Sequence, residues 1–229
     1  AGYTNYEVVN ESTINLQNSS TGIYAKNGAR VYNSGTIGVE NNATGISAKG
    51  SGSIIDNYGN VSAGKGSDAL YMKDGDSISN YGNLSAISVD VIGIHSDKLT
   101  GTIDNSGTIT LLGDQSVGIY TVGAGSQVIN NTGTITVGDS TNILNSSAGI
   151  YYDNSTAGII NSNNIIAGNK SVGIYNAGST VNQNGLLKIG DQAIGVYLDG
   201  GTATFSAGSQ LEMGNDSVGV YGVSNGAIN

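Results

Sequence analysis

The chain has 229 residues; 37 are glycine, roughly twice the usual share, and cysteine, proline and tryptophan are absent. Without cysteine there is no disulfide scaffold, thiolate metal site or cysteine nucleophile, and without proline or a G-X-Y period there is no collagen helix. Eight basic residues against seventeen acidic ones give a net charge of −9, which excludes a basic nucleic-acid-binding surface.

The chain opens on Ala1-Gly2-Tyr3, which is not a basic, apolar leader. No apolar run approaches the ~18 residues of a membrane-spanning helix. From there a phrase recurs: small residue, any residue, glycine, aliphatic, tyrosine. Its copies centre on Gly22, Gly45, Ala69, Gly93, Gly118, Gly149, Gly173, Gly195 and Gly219. A second phrase (aliphatic, x, Asn, x, Gly, x, aliphatic) lies between the copies. Its leading residues run from Val8, Val31 and Ile55 to Ile159, Val181 and Phe205. Its trailing residues, from Ile14 to Leu211, each follow six positions later. Such strict recurrence points to one structural unit per repeat.

Apolar residues alternate with small or polar ones, which is the period of a strand, and no segment pairs a helix cap with a helical stripe. Each repeat is expected to hold about three short strands. In the fifth copy they fall near 117–121, 127–131 and 134–137, separated by turns at Gly113-Asp114-Gln115, Gly123-Ala124-Gly125 and Gly138-Asp139. The repeat is too short for a propeller blade of ~40 residues. The expected fold is all-β: a right-handed parallel β-helix of about nine coils of about 24 residues, a rod of roughly 40 Å, in which equivalent residues stack in columns ~4.8 Å apart.

Four columns define the expectations. Ile23, Ile46, Leu70, Ile94, Ile119, Ile150, Ile174, Val196 and Val220 face the core. Asn33, Asn57, Asn80, Asn105, Asn131 and Asn161, preceded by Asn10, form an inward amide ladder that Gln183 and Ala207 interrupt. Gly35, Gly59, Gly82, Gly107, Gly133 and Gly185, with Asn163 in one coil, read as a left-handed corner. Tyr24, Ser47, Tyr71, His95, Tyr120, Tyr151, Tyr175, Tyr197 and Tyr221 face outward, as a protective ring ladder or as a binding strip for sugar or protein.

Catalytic chemistry is hard to place. No two acidic residues are adjacent in sequence, and there is one histidine, His95, and one arginine, Arg30. Asp74 and Asp76 flank Gly75 in what reads as a solvated turn. No phosphate loop, dinucleotide fingerprint or HExxH motif occurs. The expectation is a protein that is not an enzyme, with no catalytic, metal-binding or cofactor-binding residues.

One longer spacing marks an insertion near Asp139–Ser146, where Ile143 and Leu144 are expected in an exposed, contact-making loop. Both ends read as repeats cut short, at residues 1–16 and at Gly226-Ala227-Ile228-Asn229. Residues 1–229 are therefore expected to be a single β-helix segment of a longer rod, lacking both caps.

The phrases Asn-Ser-Gly-Thr-Ile, at 33–37 and 105–109, and Ser-Val-Gly-Ile-Tyr resemble the passenger repeats of large fusobacterial type V autotransporter adhesins. The resemblance covers essentially the whole chain. It implies display at the bacterial cell surface from the outer membrane, and adhesion to host cells or partner bacteria in colonisation or virulence. The partner would be a host glycan or protein, or a neighbouring bacterial surface; no nucleic acid, no membrane insertion by this segment, and a monomer are expected. The candidate ligand surface is Tyr120, Tyr151, Tyr175, Tyr197 and Tyr221, with Ile143 and Leu144. The alternative is a structural stalk that projects a distal adhesive head.

Overall fold

The computed structural model describes residues 6–123, 127–154, 158–223 and 226–228. Ala1-Gly2-Tyr3, Ala124 and Gly125 of one expected turn, and Asn229 lie outside the described residues. The fold is a parallel β-solenoid of about nine turns with coils of about 24 residues. Every strand pairing among the described residues is parallel, each strand with its equivalent one coil away.

A coil consists of a six- or seven-residue strand bearing the tyrosine column, such as Val117–Gly123, and two shorter strands, such as Thr102–Asn105 and Thr108–Leu111. The long strands form a nine-stranded sheet, and the short ones form two further stacks. In two coils the short strands merge, into Val128–Val137 and Ile159–Ala167, so the fifth copy has two strands where three were expected.

The aliphatic column Ile46, Leu70, Ile94, Ile119, Ile150, Ile174 and Val196 is fully buried. Burying each such side chain contributes roughly 1.5–3 kcal/mol. Val31, Ile55, Ile78, Ile103 and Ile129 close the core from a second wall, and Ile37, Val61, Leu84, Ile109 and Ile135 from the third.

The second phrase keeps its six-residue spacing through Ile129–Ile135 and again at Val181–Leu187, but not in the coil of Ile165 or in the last coil. The register shifts between Asn131 and Thr134, where the next coil turns the corner with one residue fewer. A one-residue slip moves every side chain to the opposite face. Ile160, not Ile159, therefore stacks on Ile129, and Ile159 is left 42% exposed. Asn161 likewise leaves the inner ladder and pairs with Asn130 on the outside, while Ser162 takes the inner place beside Asn131. In the last coil Ala203 follows Val181, and Phe205 stands beside Gln183 in the ladder column. The expected places of Ile159, Asn161, Phe205 and Ala207 are corrected accordingly.

The glycine corner is also corrected. Gly35, Gly59, Gly82, Gly107 and Gly133 do not have positive φ, nor does Asn163. These glycines are required for close approach: a Cβ on Gly59, Gly82, Gly107 or Gly133 would collide with the carbonyl oxygen of the glycine one coil before. The left-handed corners lie at the two ends of the long strand. Asn27, Asp74 and Lys98 have φ of 57°, 53° and 58° at one end, and Asn42, Asp90, Gln115 and Gln192 have φ of 53°, 61°, 58° and 55° at the other.

Candidate functional site

The outward column of the long strands is continuous in register: Tyr24 pairs with Ser47, Ser47 with Tyr71, Tyr71 with His95, and so on through Tyr221. Alternation along the strand puts Ile119 and Thr121 inside and Tyr120 between them outside. Ring centroids from Tyr120 through Tyr151, Tyr175 and Tyr197 to Tyr221 are separated by 5.1, 4.4, 5.1 and 5.4 Å. The rings are nearly parallel, with planes 7° to 29° apart, within the range of offset stacking. His95 continues the column edge-on, 4.8 Å from Tyr71 and 5.1 Å from Tyr120. Its Nδ1 lies 3.1 Å from Asp68 Oδ2.

The stripe is half-buried, and Tyr221 is 46% exposed. Packing between neighbours disfavours the phenolate. Burial, followed by the adjoining Tyr175 and Asp153, pushes Tyr151 up to about 12. Burial raises Tyr71, Tyr120 and Tyr175 as well.

The insertion forms a single 3-10 turn, Ile143–Asn145, capped by Asn142, whose Oδ1 accepts from the Leu144 amide at 2.9 Å. Thr141 anchors it, donating to Asp114 Oδ2 from Oγ1 at 2.7 Å and from its amide at 3.2 Å. Ile143 is 38% exposed and Leu144 90%. A groove of about 230 Å³ lies between this turn and the next coils, lined by Thr141, Asn142, Ile143, Lys170 and Gln192. The turn and Tyr151 belong to one coil, with Leu144 seven positions before Tyr151.

The asparagines are structural. Asn10, Asn33, Asn57, Asn80 and Asn105 each donate from Nδ2 to the Oδ1 of the next, ending at Asn131, at 2.6 to 2.8 Å. Asn33, Asn57, Asn80 and Asn105 are completely buried, so the ladder satisfies amides that would otherwise each cost about 1–3 kcal/mol. Asn161 belongs to an outer chain instead, donating to Asn130 at 2.8 Å while Asn130 donates to Asp104 at 2.7 Å.

Two aromatic features had no counterpart in the repeat phrases. Tyr32, Tyr58 and Tyr81 form a second short stack on another wall, with centroids 5.1 and 4.4 Å apart. Tyr58 and Tyr81 directly follow ladder asparagines, a position held by Glu11, Ser34, Ser106 and Thr132 in other coils, whereas Tyr32 precedes Asn33 in register with Asp56, so the stack spans two columns and neither recurs in the sequence. Tyr152 is fully buried, pointing inward beside the outward Tyr151.

Acidic groups are dispersed. Asp56 pairs with Arg30 at 2.6 Å, Asp97 with Lys73, and Glu212 with Lys188 at 3.0 Å. Among the described residues no three His, Asp or Glu side chains converge in a way that could hold a metal. No helix among them is long and apolar enough to cross a membrane.

A family model described as the BigA third pectate lyase-like domain matches residues 5–205. No curated protein and no solved structure matches the chain.

Proposed function

The chain belongs to the family of the BigA third pectate lyase-like domain, and from that premise we propose that it is a surface-displayed passenger segment of an autotransporter-like adhesin. In this reading it is carried by type V secretion and anchored through the outer membrane by another part of the protein. It binds a host glycan or protein, or a partner bacterial surface, as a monomer without a cofactor. The fusobacterial origin belongs to the same proposal and rests on the repeat phrases alone.

The observation that carries the reading is the stacked stripe Tyr120–Tyr151–Tyr175–Tyr197–Tyr221, five coils long and only partly covered. It lies in the half of the molecule poorest in basic residues, where only Lys170 and Lys188 occur. Rigid aromatic side chains lose little entropy on binding and present both an apolar edge and a hydroxyl. Ile143 and Leu144 add an exposed apolar contact beside the stripe. Asp56, Asp68 and Asp97, each committed to a basic partner, favour binding over catalysis.

A second reading, a stalk without a ligand of its own, draws on the unbroken amide ladder from Asn10 to Asn131, which suits a rigid spacer. Binding of the fluorescently labelled chain to epithelial cells and to bacteria separates the two. Saturable binding supports the adhesive reading. Signal that rises without saturation, equal to that of an unrelated protein, supports the stalk.

A further inference from the structure

The corner between the third wall and the long strand changes size along the rod. Three residues make the turn at 40–42 and 64–66, and four make it at 87–90 and 112–115 in the next two coils. The extra residue sends a side chain outward: Ile87 is 86% exposed, Val89 39% and Leu112 53%. Between residues 10 and 210 the other exposed aliphatic side chains among the described residues are Ile143, Leu144 and Ile159, and the first two belong to the same corner one coil on. Where Ile87 and Leu112 rise beyond the short corner at Gly64, a groove of about 410 Å³ opens, lined by Val39, Ala63, Gly64, Ser85, Ile87 and Leu112 among others.

The same corner is acidic. Residues 40–42, 64–66, 87–90, 112–115 and 138–139 carry Glu40, Asp90, Asp114 and Asp139 against one base, Lys65. None of the four carboxylates has a basic partner among the described residues. Hydrogen bonds from Thr141 hold Asp114 below the usual carboxylate range, so it is ionised at neutral pH. An apolar trough flanked by unpaired carboxylates is complementary to a partner with one apolar face and cations beside it. The spacing selects that partner's backbone. Equivalent side chains of successive coils are ~4.8 Å apart and successive turns of an α-helix rise ~5.4 Å, so a helix laid along the rod keeps step to within ~2 Å over four coils. An extended strand, with same-side residues ~6.8 Å apart, falls out of step by ~2 Å at every coil.

We propose that this corner binds a cationic amphipathic α-helix. Its apolar residues, one per turn, enter the groove against Ile87, Val89 and Leu112, and lysine or arginine on its flank faces Glu40, Asp90, Asp114 and Asp139. Membrane-active cationic peptides have this composition, and a chain displayed as proposed above meets them before the membrane does. The groove shares no residue with the stripe Tyr120–Tyr221 and stands independently of a ligand there.

The test is fluorescence anisotropy of a labelled leucine–lysine peptide of about 14 residues, about four helical turns, with its leucines on one face. The controls are a peptide of the same composition with leucines scattered round the helix, and one with glutamate in place of lysine. The expected result is saturable binding of the amphipathic peptide, with each control about tenfold weaker or more. Ile87→Ser/Leu112→Ser, which replaces exposed side chains only, weakens binding about tenfold with an unchanged melt. Asp90→Asn/Asp139→Asn weakens it and flattens its salt dependence. Tyr175→Ala/Tyr197→Ala leaves it unchanged, which separates this site from the stripe. No saturable binding, equal binding of the scattered peptide, binding that survives Ile87→Ser/Leu112→Ser in full, or binding lost with the two tyrosines overturns the proposal.

Discussion

The ring of Tyr151 lies 4.4 Å from that of Tyr175, with the planes 7° apart, on residues paired in adjacent strands. Parallel stacking at zero register stagger makes each ring the environment of the next. That environment is poorly hydrated and flanked by Asp153, so the neutral phenol is favoured.

The pH dependence follows from the direction of this shift. Tyr151 in the folded chain ionises near 12, above its ordinary value of 10.0, so in alkali the unfolded chain loses its proton first. Stability from the neutral stripe is fully present below about pH 10 and is lost as pH rises through the folded value. Urea midpoints are expected to hold steady from neutrality to about pH 10 and to fall above it. In a spectrophotometric titration, Tyr151→Phe removes the latest phenolate transition. A latest transition that persists in this variant would contradict the assignment.

The amide ladder is expected to be less tolerant than the stripe. Asn80 accepts from Asn57 and donates to Asn105, both at 2.8 Å. Asn80→Leu leaves Asn105 Oδ1 without its donor and costs about 1–3 kcal/mol for each orphaned group. Asn161→Ala, on the partly exposed outer chain, costs about 1 kcal/mol or less. Urea denaturation of the two variants measures the difference.

Gly107→Ala and Lys98→Gly separate close approach from backbone conformation. The new Cβ at 107 meets the Gly82 carbonyl oxygen, which cannot move without breaking the coil stack, and the cost is about 1–3 kcal/mol or more. Lys98 has φ of 58°, so glycine there relieves strain that roughly balances its added chain entropy, and stability stays within about 1 kcal/mol. Equal melting temperatures for the two variants would refute this account of the glycine column.

Ile119 is completely buried between Ile94 and Ile150. Ile119→Asp places an unpaired carboxylate in the core and is expected to unfold the central coils. A circular-dichroism melt identical to wild type would contradict the register.

The columns were legible because a solenoid repeats one environment, and a residue that suits it recurs at a fixed spacing. Ile119, Tyr151 and Asn80 each stand where the phrases place them. The phrases fail where the coil length changes: with one residue fewer in the corner, Ile159 and Asn161 keep the motif in sequence but exchange faces with Ile160 and Ser162. The glycine column shows a different limit. Recurrent glycine at 82 and 107 signals a steric demand, but sequence does not separate positive φ from a carbonyl of the preceding coil in the way of a side chain. Tyr152 illustrates a third limit. Its column reads Met72, Ser96, Thr121, Tyr152 and Asn176, so this inward wall has no recurring residue to detect.

The most direct test of the adhesive reading is a binding isotherm of Tyr175→Ala/Tyr197→Ala beside wild type on epithelial cells and on partner bacteria, with circular dichroism confirming that both are folded. The stripe predicts saturable binding by the wild type that is lost in the folded double variant. Binding by the double variant equal to that of the wild type would contradict it.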